Sequence, residues 1–506
     1  MAEVLVLHPD DTVAVLLGRA EAGEDPLGLG APLPQALAAG HKLARHPIAE
    51  GAPVLKFGQV IGRASQPIAA GAHVHSHNCA FVAHETATAP GAHLARAEAA
   101  VPHAEPRQFA GYRRADGRVG TRNMLALCAT VNCSATVIRQ AAAELLAEGV
   151  LEGFPHVDGI AAFAHGTGCG MAATGRGADN LERVLWGTAS HPNVGAAILV
   201  GLGCEVMQLA RMQAHFGAAG AGRFSTLSIQ DSGGTRATIE AIKAHARAVL
   251  PELDAARREP CPVSDLVIGL QCGGSDGFSG ITANPALGHA SDLLVGQGGT
   301  VILSETPEIH GAEQLLIERT TPEVAARLAA CLRWWEGYAA EGGGSLDNNP
   351  SPGNKLGGIT TILEKSLGAV AKAGATPLRA FYDYAEPVTA RGLVFMDSPG
   401  YDPVSATGQI AAGAQIIVFT TGRGSAFGSK PAPTIKIATS DRLFSAMAED
   451  MDLNAGDILS QGVSPRAKGA EIFEEILRVA SGGVTKSEAL GLGDNEFQPW
   501  VPGAVM

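Results

Sequence analysis

Two stretches of the chain concentrate side chains able to do chemistry. The first is Gln271-Cys-Gly-Gly-Ser-Asp-Gly-Phe-Ser-Gly-Ile-Thr-Ala-Asn-Pro-Ala-Leu-Gly288. It sets a thiol, a hydroxyl and a carboxyl group (Cys272, Ser275, Asp276) among glycines that let a backbone approach a ligand closely. The apolar run at 266–270 before it is too short for a buried helix and reads as a strand. Asn284 and Pro285 read as the opening of a helix, Asn as N-cap and Pro at the first helical position. Strand, glycine-rich loop and helix N-terminus make an anion site at the carboxyl end of a strand. The second stretch is His73-Val-His-Ser-His-Asn78. Alternate residues of a strand share a face, so His73, His75 and His77 are expected to point the same way. Imidazoles so grouped suit iron, manganese or zinc; the bland alternative is a solvated surface strand.

Further candidates sit at similar places. Cys133, Cys169, Cys204 and Cys272 each fall just past an expected strand, the ligand-binding edge of an open parallel sheet. Any one of them fits the ordinary role of a small buried residue. Four at equivalent places point to a thiolate metal site, with an iron–sulfur cluster as the weaker alternative, since no CxxC spacing occurs. His165 lies one short loop before Cys169, and Glu205 follows Cys204 at a helix start; either is a candidate acid or base. Asn348-Asn-Pro-Ser-Pro-Gly-Asn-Lys355 reads as irregular. Its polar side chains, Asn354 among them, suit a polyhydroxy acid, with Lys355 for a carboxylate. Glu364 and Lys365 after it read as an exposed helix pair. Thr420-Thr-Gly-Arg-Gly-Ser425 follows another strand and offers Arg423 as a carboxylate clamp. Walker spacing is absent, and no GxGxxG lies at a strand-to-helix turn, so neither a nucleoside triphosphatase nor a dinucleotide enzyme is expected.

These residues need a scaffold that brings strand ends together. Residues 1–95 carry short apolar runs punctuated by glycine, the pattern of a compact β domain. Residues 96–110 read as a linker, within an Ala-, His-, Pro- and Glu-rich tract that starts at 84. From 111 to 255 strands (124–130, 157–164, 194–200, 224–230) alternate with helices (134–148, 179–188, one after Glu205, and 235–249). That is the signature of βαβ units on a mainly parallel sheet. The charged, Pro-bracketed segment 251–262 reads as a second boundary. The alternation resumes over 263–506, with strands at 266–270, 299–304, 379–383, 392–396, 415–420 and 434–438. Helices are expected at 285–296, 322–340, 441–450 and 468–481. The fold class is therefore α/β: a small N-terminal β domain and two α/β lobes.

Composition narrows the class further. The 506 residues carry 37 Lys and Arg against 50 Asp and Glu, a net charge of −13, which argues against nucleic acid. No apolar run is long enough to span a bilayer, and the first residues lack a basic n-region, so a cytoplasmic protein is expected. Eight cysteines in a chain of this length make no disulfide framework.

Taken together, the motifs resemble those of the altronate/galactarate dehydratase family, which also includes sulfolactate sulfo-lyase. The resemblance runs nearly end to end. It includes Gly40-His-Lys42, the histidine stretch 73–78, Gly111-Tyr112, Asp116-Gly117, Val119-Gly-Thr-Arg-Asn123 and Gly201-Leu-Gly-Cys-Glu205. It continues through Cys272-Gly-Gly-Ser-Asp-Gly277, Gly280-Ile-Thr-Ala-Asn-Pro285, Asn349-Pro-Ser-Pro-Gly-Asn-Lys355, Thr421-Gly-Arg-Gly424 and Asp452-Leu-Asn-Ala-Gly456. The histidine stretch is similar to that of altronate dehydratases, whereas 112–123 and Cys169-Gly170 are equally similar to galactarate-type members.

The resemblance implies an SAF-type (β-clip) domain ahead of the dehydratase region. It implies removal of water from a sugar acid to give a 2-keto-3-deoxy acid with ferrous iron, or manganese in its place. On this reading His75 and His77 serve the metal or the leaving group, and Cys169, Cys204 and Cys272 form a second ligand set. Lys355 and Arg423 hold carboxylate and hydroxyls, Ser275, Asn284 and Asn354 complete the substrate site, and Asp276 joins the catalytic set. The base is His165 or Glu205. A homodimer is expected. Two other classes stay open: a carbon–sulfur lyase acting on sulfolactate or a related hydroxy acid, and a non-catalytic sugar-acid binding protein.

Overall fold

The computed structural model of the chain describes residues 2–82, 89–103, 105–208, 210–212, 223–503 and 505. Residues 83–88 of the expected first domain, residue 104 of the expected linker and much of the helix expected after Glu205 lie outside these.

The N-terminal domain is built from two small antiparallel sheets. One orders Val4–Leu5, Val13–Leu16, Lys42–Ala44 and His73–Val74; the other orders Pro53–Lys56, Gln59–Ala64 and Cys79–Ala80. Phe57 and Gly58, both at positive φ, make the two-residue turn between Pro53–Lys56 and Gln59–Ala64, the conformation whose twist matches paired strands. Val13, Ala44, Val54 and Ile61 pack into the same buried cluster as Leu270, Ala283 and Leu367 of the last lobe. The small domain is thus docked on that lobe through shared core.

In the first lobe four parallel strands lie in the order Gly159–Phe163, Met124–Ala129, Val194–Gly201, Phe224–Ser228. Helices Asn132–Ala147 and Thr235–Ala255 cover one face. Helix Arg176–Ala189 covers the other and packs against Asp402–Ala411 of the second lobe. The second lobe is a seven-stranded parallel sheet, ordered Leu378–Tyr382, Gly392–Met396, Thr300–Leu303, Val267–Cys272, Ile416–Thr421, Thr434–Ala438, Leu453–Asn454. The chain enters at the central strand Val267–Cys272, builds outward on one side, then crosses to Ile416–Thr421 on the other. The order reverses around that central strand, which is where open α/β sheets leave a crevice beyond their strand ends.

Four expectations about local structure need correction. The segment 251–262 is not a plain boundary: the helix runs on through Pro251 to Ala255, and Glu259–Pro262 pairs with Gln108–Arg113 as a strand. The tract before residue 110 holds a helix, Leu94–Ala99. The Asn- and Pro-rich segment is partly regular, because Ser351 caps a short helix, Pro352–Leu356, with Pro at its start. The helix after the glycine-rich loop begins one residue early, at Ala283 with Thr282 as N-cap, so Asn284 lies in its first turn. Among the described residues no helix is long and apolar enough to cross a membrane.

Candidate functional site

Strand Val267–Cys272 is apolar on both faces because it lies mid-sheet. Its last residue, Cys272, is buried with its sulfur 3.5 Å from Glu308 Oε2 and 3.9 Å from Glu305 Oε2. Both carboxylates follow the neighbouring strand Thr300–Leu303. Each is matched by a lysine of the helical segment beyond residue 361: Lys365 Nζ donates to Glu308 Oε1 at 2.7 Å, and Lys372 Nζ to Glu305 Oε2 at 3.1 Å. All five side chains are buried. Burial opposes the lysine charges, yet Glu308 beside Lys365, and Cys272 and Glu305 beside Lys372, hold both ammonium groups above the ordinary range.

Glu305 stands apart from its neighbours. It sits in the left-handed region (φ 68°), where a side chain with a Cβ is strained, and its Oε1 is buried without a hydrogen-bond partner. Burial, reinforced by Glu308, pushes its carboxyl up to about 8. Asp402, whose carboxylate crowds Gly273, is pushed up to about 6 by burial and Glu308. Burial pushes the Cys272 thiol up to about 12, so it stays protonated at neutral pH.

The small domain covers this edge with four imidazoles. His41 and His73 approach at 3.0 Å (Nδ1 to Nε2), and His73 has ring centroids at 5.4 Å to both His75 and His77. The grouping does not arise as expected. The strand stops at Val74, and Asn78 folds the rest back, accepting from His75 N and donating to His73 O. Burial, and then the neighbouring imidazoles, push His73 down to about 3; burial lowers His75 to about 4. Both are neutral at pH 7. A carbonyl can only accept, so His75 Nε2 donates to Lys355 O and His41 Nε2 to Leu356 O. That tautomer makes Nδ1 of each an acceptor, His41 Nδ1 from His73 Nε2 and His75 Nδ1 from Ser76 Oγ at 3.0 Å each; a ligating imidazole offers an ion the same lone pair.

Below the histidines, Glu364 takes Lys42 and Lys56 of the small domain at 2.8 Å each, all three sealed from solvent. The expectation of an exposed Glu364–Lys365 pair is therefore overturned. The helix Ile362–Ala371 is buried nearly all round, so neither charge has water to turn to. A cavity of about 10 Å³, room for about one water, lies between Lys56, Ser275, Asp276, Glu364 and Lys365.

The structure brings some expected site residues together and gives others a structural task. Asn354 donates to Ser275 O and caps its own helix, and Asn284 joins Gly368 O to Thr420 Oγ1, so both amides shape the loop. Asp276 is half-buried, its carboxyl raised by desolvation, and accepts from Phe278 N, Ser279 and Thr439 as the loop's organiser. Lys355 is half-exposed and Arg423 exposed at the rim, with Arg423 N donating to Gly274 O. His165 has both ring nitrogens on backbone, Nε2 to Ala129 O and Nδ1 from Thr167 N, and burial lowers it to about 4. Glu205 staples its own loop through Thr130 Oγ1 and Gly203 N. Neither is free to act as a base.

The expected ligand set of His75, His77, Cys169, Cys204 and Cys272 is not one group. Cys169 and Cys204 belong to the first lobe's sheet edge and Cys272 to the second's. Among the described residues only Cys272, Glu305 and Glu308 bring three donor atoms within 4.8 Å of one another. Glu305, Glu308, Lys365, Lys372, Lys42, Lys56 and His41 were not legible as site residues by motif. The strand-end rule that marked Cys272 also applies to Glu305 and Glu308, which follow the very next strand of the sheet.

Family models match the three parts of the chain in turn. Residues 2–81 match the altronate/galactarate dehydratase SAF domain. Residues 111–254 match the D-galactarate dehydratase/altronate hydrolase second domain, and 263–505 the D-galactarate/altronate dehydratase C-terminal domain. Altronate dehydratase of Bacillus subtilis is 35% identical over 492 residues, 96% of this chain and 97% of the relative. Galactarate dehydratase (L-threo-forming) of Escherichia coli is 36% identical over 492 residues, 94% of this chain and 92% of the relative. The (2R)-sulfolactate sulfo-lyase subunit beta of Chromohalobacter salexigens is 33% identical over 392 residues, 76% of this chain and 95% of the relative. With all three of its parts matched in order, the chain belongs to the D-galactarate/altronate dehydratase family.

Proposed function

We propose that the protein is a cytoplasmic hydro-lyase, expected as a homodimer, that removes water from a sugar acid such as altronate or galactarate. The product is a 2-keto-3-deoxy acid. The observation that carries this reading is a pair of buried carboxyl groups in unlike surroundings beside two buried ammonium groups, at the sheet's switch point. Glu305 is held protonated by burial, while Glu308 is paired with Lys365. Environments that separate two carboxyl groups in this way supply an acid and a base on one site.

The chemistry follows from the substrate. The proton α to a carboxylate is weakly acidic, and its removal leaves an aci-carboxylate that needs positive charge. Lys365 and Lys372 provide that charge without a hydration shell. Glu308 takes the α-proton, and the Glu305 carboxylic acid protonates the β-hydroxyl, which leaves as water. The resulting enol tautomerises to the 2-keto acid. Lys355 and Arg423 at the rim hold the carboxylates of the incoming acid.

The imidazole group fits the divalent ion that the family implies: four clustered imidazoles, two of them with Nε2 fixed as a donor to a carbonyl. His41, His73, His75 and His77 would hold it, and ferrous iron or manganese there supplies Lewis acidity toward substrate oxygens. Glu308 and Glu305 each already face a buried lysine, Lys365 and Lys372. The segment 349–358 contacts both layers, Asn349 taking Lys365 and the Lys355 and Leu356 carbonyls taking His75 and His41.

A carbon–sulfur lyase is the second reading, since a sulfo-lyase subunit is among the relatives. The altronate and galactarate relatives cover more of the chain, 96% and 94% against 76% for the sulfo-lyase subunit. The test is keto-acid formation by anaerobically purified, iron-loaded protein on altronate, galactarate, related aldonates and sulfolactate. Keto acid from a sugar acid without sulfite is expected. Sulfite release from sulfolactate with no sugar-acid turnover would overturn the proposal.

A further inference from the structure

Five of the cysteines are buried or half-buried: Cys79, Cys128, Cys261, Cys272 and Cys331. The other three, Cys133, Cys169 and Cys204, are exposed, an uncommon state for a residue type that usually fills cores. They are not scattered. Each follows one of three adjacent parallel strands of the first lobe: Cys133 in the first turn of the helix after Met124–Ala129, Cys169 and Cys204 in the loops after Gly159–Phe163 and Val194–Gly201. All three loops meet at Gly168. Its φ of +99° admits glycine, and a Cβ there would lie 2.3 Å from Thr130 O and 2.8 Å from Val131 Cα. Its carbonyl accepts from Val206 N at 3.1 Å and Met207 N at 3.3 Å, and Asn132 N donates to Thr167 O at 2.8 Å. Cys169 is the next residue after Gly168, Cys133 lies two beyond Val131, and Cys204 two before Val206. Three thiols are thus anchored around one backbone junction.

Two further features describe what that junction suits. Cys133 is the second residue of helix Asn132–Ala147, whose N-cap Val131 makes no side-chain cap hydrogen bond. The three sulfurs do not lie within 4.8 Å of one another, whereas one tetrahedral ion with sulfur at about 2.3 Å needs sulfurs about 3.8 Å apart. A cluster attaches its thiolates to different irons and spreads them more widely. Cys169 also lines a cavity of about 600 Å³ with Thr167, Arg176 and Gln498, which is large enough to hold a hydroxy acid.

We infer that Cys133, Cys169 and Cys204 bind an iron–sulfur cluster at the edge of the first lobe, three irons each held by one thiolate and the fourth open toward an oxygen ligand. The site is distinct from the imidazole group and from Cys272. It does not rest on the dehydratase reading, and its readout is iron and sulfide rather than turnover.

The test uses the full chain purified without oxygen and incubated with equal amounts of ferrous and ferric iron and with sulfide, which together supply a mixed-valent cluster without a further oxidant. About four irons and four acid-labile sulfides per chain are expected, with a visible sulfide-to-iron charge-transfer band. Cys133→Ser, Cys169→Ser and Cys204→Ser should each remove most of the band and of the sulfide, while Cys331→Ser should keep both. Alkylation followed by mass spectrometry on the unmutated protein covers the case of a variant that fails to fold: all three thiols should react before reconstitution and be protected together after it. Iron uptake without sulfide, a band that survives in the triple Ser variant, or thiols that stay reactive after reconstitution would each overturn the inference.

Discussion

Lys42 Nζ of the N-terminal domain reaches Glu364 Oε2 of the last lobe at 2.8 Å, across 322 residues of sequence, with both side chains sealed from solvent. Lys56 completes the group from the adjacent hairpin. Two cations from one domain on a single carboxylate of another leave no low-energy way to separate the pieces. Glu364→Ala would strand both ammonium groups, and a loss of about 3–5 kcal/mol is expected from denaturant melts. Retention of wild-type stability would show that water replaces the carboxylate.

The same group sets an acid limit. Burial alone would raise Glu364, but Lys42 and Lys56 outweigh it and bring it down to about 2 from an ordinary value of 4.5. A carboxyl group lower in the folded state binds its proton less readily there than when unfolded. Its stabilisation is therefore complete above about 4.5 and lost as pH falls from there toward 2. Glu364→Gln should flatten that part of the stability–pH curve, measured by thermal unfolding between pH 5 and pH 2.5. An unchanged slope would assign the acid sensitivity to other groups.

Gly277 offers a steric test of the same docking. A Cβ there would lie 2.3 Å from Gly40 O and 3.0 Å from Gly40 Cα, backbone atoms that no rotamer change can move. Gly277→Ala should wedge the small domain away, costing about 1–3 kcal/mol and exposing residues 89–103 to limited proteolysis. Turnover should fall with it, because the imidazoles ride on that domain.

For Glu305 the expectation is kinetic. If it delivers the proton to the departing hydroxyl, kcat declines as pH rises through about 8, where the group ionises. Glu305→Gln keeps the shape and the contact with Lys372 but cannot give up a proton. It should lower kcat by about a hundredfold or more with little change in KM, and the alkaline limb should vanish. A mutant that keeps both rate and limb would move the acid elsewhere.

His73 separates metal binding from folding. His73→Ala removes one of the four nitrogen donors, and ferrous-iron affinity should weaken at least about tenfold in equilibrium titrations. Its far-ultraviolet circular dichroism should stay that of the parent. Undiminished iron affinity would exclude the imidazole group as the metal's place.

Much of this protein is determined locally. The alternation of apolar runs with amphipathic segments placed the parallel strands of both lobes within one or two residues, all but the two-residue edge strand Leu453–Asn454, since strand and helix periods are written in neighbouring side chains. Glycine spacing marked the small β domain, and the Cys272 loop was visible because a strand must end before small polar residues begin. Chain segments with proline gave the poorest readings: Pro251 proved compatible with a helix, and Pro352 began one.

What the tertiary structure decided is which charges lost their water. Glu364 and Lys365 look like an ordinary exposed pair in sequence, and only the docking of residues 42 and 56 from another domain turns one into the centre of a buried triad. Glu205 and His165 carry acid–base side chains in suggestive places, but hydrogen bonds to Gly203 N and Ala129 O commit them to structure. Cys272 parted from Cys169 and Cys204 because strand order, not spacing along the chain, decides which loops share an edge. A residue's type states what chemistry it can do; burial and partners, set by contacts hundreds of residues apart, decide whether it does it.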